Sequence, residues 1–193
     1  MTSTRSPAPP PQPHTRRAAL RALAGGVTLA GLGCLASRAL AAELAARRIV
    51  FHNTHTQESL DVQYWRDGAY SIDGLARVSR VLRDHRNGAV HPIDPALLEV
   101  LHDVAARCDR DAEFEVISGY RSPASNAAMH ARSAGVAAHS LHMEGRAIDV
   151  RLVGCRLEKL RDCGLALGRG GVGFYREPGF VHLDTGRVRT WVG

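Results

Sequence analysis

Acidic residues are missing from the first 42 positions, and the remainder of the chain has almost no excess of charge. The 193-residue sequence carries 25 basic and 19 acidic side chains, for a net charge of +6. Five arginines fall within residues 1–42, so residues 43–193 hold 20 basic and 19 acidic groups. A nucleic-acid interface needs a clustered excess of arginine and lysine in the folded part. The balance therefore argues against a nucleic-acid partner.

A long uninterrupted apolar run is also missing. A transmembrane helix needs about 20 mainly apolar residues, whereas the N-terminal stretch TRRAALRALAGGVTLAGLGCLASRALAA is broken by glycines. It has the order of a secretory signal: charged residues, an apolar region, and small residues at Ala39 and Ala41. The arginine pair at its start favours the twin-arginine type. We therefore predict a signal segment over residues 1–42, a folded domain over 43–193, export to the periplasm, and no membrane span after cleavage.

Cysteines are few, and their spacing matches no zinc-thiolate pattern. Cys34 follows GLG, which lacks the aliphatic residue of a lipidation signal, so we favour cleavage near Ala41. That cleavage leaves Cys108, Cys155 and Cys163, an odd number that cannot all pair within the chain. An oxidising compartment would permit one disulfide, but the sequence leaves the pairing open. We expect structural roles for these cysteines.

The periodicity of apolar residues predicts a small single α+β domain, with helices packed on a mainly antiparallel sheet. RRIVFHN and LDVQYW are predicted to form an opening hairpin. Helices are predicted over residues 73–86, in DPALLEVLHDVAARC with a cap at Asp94, from about Ser122, and in RLEKLRDCGLAL. Further strands are predicted in FEVIS, RAIDVRL, GVGFY and FVHLDTGRV.

Two of these strands combine an aliphatic face with a polar one. In RAIDV, Ile148 and Val150 lie on the face opposite Asp149, and in FVHLD the residues His182 and Asp184 share a face. His142 precedes the first strand, where Gly145 breaks helical geometry. Two imidazoles and one carboxylate, with an open fourth position, are the ligand pattern of catalytic zinc.

Each of these residues also has an ordinary structural interpretation when it is taken singly. His142 could make a loop hydrogen bond, Asp149 a turn contact, and His182 could be a satisfied half-buried histidine. An aspartate in the middle of a strand is nevertheless costly without a partner. The residues alone therefore leave both interpretations open.

The surrounding motifs resemble those of zinc D,D-peptidases and D-Ala-D-Ala carboxypeptidases. SLHMEGRAID matches their S-x-H-x-x-G-x-A-x-D signature, and SGYRSPASN and FVHLDTGRVRTW are similar to segments of the same superfamily. The resemblance is strongest to its periplasmic murein endopeptidases and covers about residues 47–193. It implies a hedgehog/D-Ala-D-Ala peptidase-like fold and a zinc ion held by His142, Asp149 and His182. It also implies that Arg121 stabilises the developing oxyanion.

The general base is where the sequence departs from the pattern. Many members place an acidic residue three positions before the last ligand, where this chain has Gly179. Asp184 is the substitute that we favour, because strand alternation fixes its face. Glu177 and His139 are the alternatives, and Asp184 could instead support a metal ligand from behind.

These observations predict a zinc-dependent endopeptidase that hydrolyses peptide cross-links of peptidoglycan. We expect peptidoglycan stem peptides as the partner and a monomer as the working form. Two other functions fit the same motifs. One is a carboxypeptidase that removes terminal D-Ala, and the other is a peptidoglycan-binding module with a structural zinc.

Overall fold

The computed structural model describes residues 46–132 and 137–193, so the predicted signal segment lies outside the described residues. The strands are β1 Arg47–Asn53, β2 Ser59–Arg66, β3 Ala69–Tyr70, β4 Glu113–Ser118, β5 Ala147–Leu152, β6 Gly171–Tyr175, β7 Phe180–Asp184 and β8 Arg189–Val192. The helices are α1 Ile72–Val81, α2 Pro95–Arg107, α3 Pro123–His130 and α4 Leu157–Leu167, with a 3-10 helix at Leu141–Glu144.

The eight strands form one sheet in the order β3-β2-β1-β4-β5-β7-β6-β8. The pairs β1–β4 and β6–β8 are parallel, and the other neighbours are antiparallel. The predicted α+β class with a mainly antiparallel sheet is therefore confirmed. None of the helices in the described ranges is both long enough and apolar enough to cross a membrane.

The aliphatic face of the sheet packs against helices. Ile148, Val150, Val181 and Leu183 are at most 2% exposed and belong to the hydrophobic core, as the strand alternation predicted. Helix α4 approaches closely at Gly164, where an added Cβ would lie 3.0 Å from Leu183 Cδ2. Burying one such side chain stabilises the fold by about 1.5–3 kcal/mol.

Capping residues fix where the helices begin. Asp94 accepts a hydrogen bond from the backbone N–H of Ala96 at 2.9 Å, and Pro95 opens α2, as predicted. Ser122 caps α3 by accepting from the backbone N–H of Ser125 at 3.2 Å. The first predicted helix was too long at its C-terminal end, because α1 stops at Val81 and the buried Asp84 carboxylate accepts a hydrogen bond from the backbone N–H of Arg86 at 3.0 Å.

The predicted strand FVHLDTGRV is wrong in its second half. β7 ends at Asp184, whose Oδ1 accepts a hydrogen bond from the backbone N–H of Gly186 at 2.8 Å. This side chain–backbone bond turns the chain, which returns as β8 parallel to β6.

All three cysteines of the described region are free thiols. Cys108 lies at the end of α2, and Cys163 lies on α4. Burial raises the pKa of the Cys108 thiol, and the neighbouring Cys163 adds to the effect. A thiol with a raised pKa is protonated near neutral pH and unreactive, which agrees with a packing role.

Candidate active site

One row of paired residues crosses the polar face of the sheet and forms the floor of a cleft. Ser118 on β4 pairs with Asp149 on β5, and Asp149 pairs with His182 on β7. His182 pairs in turn with Gly173 on β6, which pairs with Trp191 on β8. Since paired residues point to the same face of a sheet, this register brings Asp149 and His182 together. The cleft has a volume of about 540 Å³.

His142 reaches this row from the 3-10 helix above it. The Ser140 side chain caps that helix by accepting from the backbone N–H of His142, and Gly145 ends it in the left-handed conformation at φ 68°. A Cβ on Gly145 would collide with the carbonyl oxygen of Pro92. Glycine at this position therefore allows both the turn and the close packing that holds His142 in place. The sequence predicted the break but not the helical turn.

Three ligand-type atoms converge at the centre of the floor. His142 Nε2 lies 3.3 Å from Asp149 Oδ1 and 3.2 Å from His182 Nδ1. Asp149 Oδ1 and His182 Nδ1 are 2.8 Å apart. Zinc ligands at about 2.0–2.1 Å in tetrahedral geometry stand roughly 3.3–3.4 Å from one another. Two of the three separations match one face of such a tetrahedron, the third is shorter at 2.8 Å, and all three side chains are buried.

Each imidazole is oriented by its other nitrogen. His142 Nδ1 donates to the carbonyl oxygen of Gly119 at 2.7 Å, which leaves Nε2 facing the centre. His182 Nε2 lies 3.0 Å from Asp184 Oδ2, which leaves Nδ1 facing the centre. Backbone carbonyls and carboxylates of this kind fix the tautomer and ring angle of metal-ligating histidines. The donor set and its supports thus fit a divalent transition metal.

The electrostatics of the cluster favour a cation. Burial acts to raise the pKa of Asp149, but His142 and His182 outweigh it and lower that pKa well below its usual value. Burial acts to lower the pKa of His182, but hydrogen bonds to Asp149 and Asp184 raise it. Asp149 and Asp184 both contact His182 and favour positive charge there, which a proton or a metal ion can supply.

Arg121 is buried beside the cluster, at 6% exposure. Its Nη2 lies 4.0 Å from Asp149 Oδ2, and its Nη1 donates to Asn126 Oδ1 at 3.3 Å. Its Nε is buried and has no hydrogen-bond partner among the described residues. Burial lowers the pKa of Arg121, while Asp149 acts to raise it. A desolvated guanidinium that lines the cleft is suited to bind an anionic or carbonyl oxygen there.

The three residues considered for proton transfer lie in different places. Asp184 lies behind His182, where its oxygens also accept from Arg189 and from the backbone N–H groups of Gly171 and Gly186. Glu177 is exposed on the β6–β7 turn and is not among the residues that line the cleft. His139 does line the cleft.

An aromatic wall on the β6–β8 side was not foreseen. Trp191 lies with its ring centroid 5.1 Å from that of His182, and its Nε1 donates to the hydroxyl of Tyr175 at 2.9 Å. An added Cβ on Gly173 would stand 2.6 Å from the Trp191 ring, so glycine makes room for the indole. The sequence signal was a glycine inside a strand, which marks close approach of another group.

The family model and the curated relatives that match this chain agree on one family. The model of the family described as Peptidoglycan L,D-endopeptidase MepK matches residues 41–191. No solved structure matches the chain.

Two curated relatives illustrate the similarity. The Haemophilus influenzae protein named "Probable peptidoglycan L,D-endopeptidase MepK" is 38% identical over 172 residues, which cover 88% of this chain and 92% of the relative. The Escherichia coli K12 protein named "Peptidoglycan L,D-endopeptidase MepK" is 36% identical over 169 residues, which cover 86% of this chain and 92% of the relative. The resemblance inferred from the motifs is thereby confirmed.

Proposed function

Because the chain belongs to the family described as Peptidoglycan L,D-endopeptidase MepK, we propose that it is a zinc-dependent endopeptidase that hydrolyses L,D amide bonds in peptidoglycan cross-links. The observation that carries this proposal is the convergence of His142 Nε2, Asp149 Oδ1 and His182 Nδ1 on the cleft floor. Family membership supports the class of reaction, and the names of the relatives support the type of bond.

His142, Asp149 and His182 are the residues that would hold the zinc ion. A bound zinc supplies Lewis acidity to an amide carbonyl and lowers the pKa of water. Gly119 and Asp184 keep the two imidazoles aimed at the centre through bonds of 2.7 and 3.0 Å. Since preset orientation avoids reorganisation during the reaction, these supports contribute to catalysis without contacting the substrate.

Arg121 is the residue that stabilises negative charge on the scissile amide oxygen. Its side chain lines the cleft, and Asn126 holds Nη1 of the guanidinium at 3.3 Å. A fixed donor in a site shielded from water stabilises developing charge more strongly than a solvated one.

His139 is our choice for the residue that moves the proton. It lines the cleft, whereas Asp184 is committed to His182 and Arg189, and Glu177 lies on the exposed turn. An imidazole suits this work because its ring nitrogens can both accept and donate a proton. Asp184 then acts as a positioning residue for His182.

Export to the periplasm by the twin-arginine segment, and action as a monomer, complete the proposal. Peptidoglycan lies outside the cytoplasmic membrane, so the substrate requires export. Replacing Arg16 and Arg17 with lysines should keep the protein in the cytoplasmic fraction, whereas unchanged periplasmic recovery would reject this signal type. Light scattering of the purified protein checks the monomer, which a dimer mass would exclude.

The test of function uses purified protein, stripped of metal and then reloaded with zinc, on defined muropeptides. We expect the zinc-loaded protein to cut L,D-linked dimers, the stripped protein to leave them intact, and D,D-linked dimers to survive both. Chromatography of the products measures each outcome.

Other products would point to the other functions. Release of D-Ala from pentapeptide monomers without cleavage of dimers would indicate a carboxypeptidase. Retention of peptidoglycan without any product would indicate a binding module. Replacing His139 with alanine should reduce turnover without loss of bound zinc, and unchanged turnover would exclude it as the proton-transfer residue.

A further inference from the structure

The loop between α1 and α2 is anchored by a carboxylate that is completely buried. Asp84 Oδ2 accepts from the backbone N–H and the hydroxyl of Ser122 at 2.9 and 2.8 Å. Its Oδ1 accepts from the backbone N–H of Arg86 at 3.0 Å. Asp84 thus ties the loop to the start of α3, directly after Arg121, and fixes the backbone from which the Arg86 side chain leaves.

The guanidinium of Arg86 lines the same cleft as Arg121, yet it has no hydrogen-bond partner among the described residues. Its nearest acidic oxygen is Asp84 Oδ1, 3.7 Å from Nη1, and that oxygen already accepts from the backbone. Arginine offers five donors in a planar fork that matches a carboxylate. The Arg86 fork is therefore presented to the cleft with its donors unused.

Among the described residues that line the cleft, three arginines accompany a single carboxylate. The one carboxylate among the lining residues is Asp149, which belongs to the metal cluster. Arg189 is neutralised by Asp184 at 2.7 Å. Within the described residues, Arg86 pairs only with Asp84 at 3.7 Å and Arg121 only with Asp149 at 4.0 Å, separations too long for hydrogen bonds, and any bound metal adds positive charge.

Apart from Asp84, whose Oδ1 lies 3.7 Å from Arg86 Nη1, the described side chains next to Arg86 supply no negative charge. His85 stacks on His55, with ring centroids 3.8 Å apart. Burial lowers the pKa of His85 to about 4, and Arg86 and His55 add to the effect. The stacked pair carries no carboxylate, so an anionic acceptor for the unused donors of the guanidinium would come from a ligand.

The strand order places this charge on one side of the site. His55 follows β1 and Arg121 follows β4, whereas Tyr175 and Trp191 lie on β6 and β8, and the metal cluster lies between them on β5 and β7. A peptide across the centre would meet cations on one side and aromatic rings on the other. The cationic side suits the free carboxylates that peptidoglycan stem peptides carry.

We propose that Arg86 binds a carboxylate of the peptide substrate and thereby sets its direction across the site, an inference that rests on the proposed function. Such a charge-assisted, bidentate contact is worth about 10- to 100-fold in affinity. Arg121 stabilises charge on the oxygen of the scissile amide, so the two arginines have separate roles.

The experiment measures binding and turnover of an L,D-linked muropeptide dimer and of its analogue with the carboxylates converted to amides. Binding is measured by calorimetry on the metal-stripped protein, and kcat/KM on the zinc-loaded protein. We expect amidation to weaken binding to the unmodified protein by about 10- to 100-fold. The Arg86→Gln variant should bind both peptides alike, at about the affinity of the amide, and Arg86→Lys should fall between.

The matched control is Arg83→Gln, which removes the same charge from the same segment. Arg83 pairs with Glu58 at 2.6 Å and does not line the cleft, so this variant should discriminate as the unmodified protein does. Arg86→Gln retaining full discrimination, or an unmodified protein that binds both peptides alike or neither, would overturn the role of Arg86. Discrimination in binding without hydrolysis by the zinc-loaded protein would overturn the proposed function and leave the role of Arg86 standing.

Discussion

One face of the paired strands β5 and β7 is aliphatic, and the other carries ionisable groups. Ile148, Val150, Val181 and Leu183 pack under the helices, whereas Asp149 and His182 lie on the cleft floor. Both sets are buried, but the aliphatic side chains are buried by packing contacts that take no part in the proposed reaction. The second keeps charged groups together in a site shielded from water, an arrangement that is costly unless they are paired or bind a metal.

Stability and chemistry therefore depend on alternate residues of the same strands. Since neighbouring residues in a strand point to opposite faces, a substitution at position 148 and one at position 149 should have separable effects. The aliphatic face should set the free energy of unfolding, and the polar face should set metal binding and turnover.

The largest effect is expected from His142→Ala. Loss of one of three protein ligands should abolish stoichiometric zinc and bring turnover to background, while the fold survives because the core is untouched. Elemental analysis, muropeptide hydrolysis and circular dichroism measure the three properties. His102→Ala, on α2 and outside the cleft lining, is the control and should behave as the unmodified protein. Full activity of His142→Ala would refute the ligand assignment.

Ile148→Ala should show the opposite behaviour. This side chain is 0% exposed, so truncation should cost about 2–5 kcal/mol of unfolding free energy, and Ile148→Val about 0.5–1.5 kcal/mol. Urea unfolding of the metal-free protein measures both values. Bound zinc per folded molecule should not change, and loss of zinc from folded Ile148→Ala would erase the distinction between the faces.

Asp184→Asn should give a smaller effect, confined to the metal. An amide is a weaker acceptor for His182 Nε2–H and cannot neutralise Arg189, so zinc affinity should fall by about 10- to 100-fold. Competition with a chelator measures this affinity. Asp162→Asn, at a carboxylate side chain that is 62% exposed, should not change it. Retained zinc affinity together with lost turnover would favour Asp184 as the general base.

The smallest effect concerns a buried carboxylate outside both faces. Burial acts to raise the pKa of Asp84, but hydrogen bonds from Ser125, Ser122 and the Arg86 backbone lower it from 3.8 to about 2. Because the pKa of Asp84 is lower in the folded state, its ionised carboxylate stabilises the protein at pH values above the unfolded-state pKa. This stabilisation is lost as the pH falls towards about 2. The contribution is about 2 kcal/mol.

The measurement is the unfolding free energy of the unmodified protein minus that of Asp84→Asn, followed as a function of pH. We expect this difference to shrink by about 2 kcal/mol between about pH 5 and about pH 2. A difference that is independent of pH would contradict the linkage between Asp84 and stability.

The sequence was sufficient for the faces of the two strands. Alternation in RAIDV and FVHLD separates aliphatic from polar residues, because strand geometry is local. It also brought His142, Asp149 and His182 into one hypothesis, since the motif spacing was available along the chain. Residues whose roles are marked by a motif along the chain were therefore accessible to prediction.

The sequence was insufficient for contacts that depend on register between strands and that no motif marks. Trp191 reaches His182 only because β8 pairs with β6 across Gly173, and no strand was predicted over Arg189–Val192. Strand alternation predicted the face on which Asp184 lies, but not that its Oδ2 lies 3.0 Å from Nε2 of His182. Arg86 was assigned to a helix, and its place in the cleft depends on the bonds from Asp84 to Ser122.

The most direct test of the account is the position of zinc in a crystal of the zinc-loaded protein, found by anomalous diffraction at the zinc absorption edge. We predict one ion at about 2.0–2.2 Å from His142 Nε2, a carboxylate oxygen of Asp149, and His182 Nδ1. The prediction specifies Nδ1 of His182 as the ligand atom, because Nε2 of the same ring is engaged with Asp184 at 3.0 Å. An ion bound elsewhere, or one that coordinates His182 through Nε2, would contradict the account.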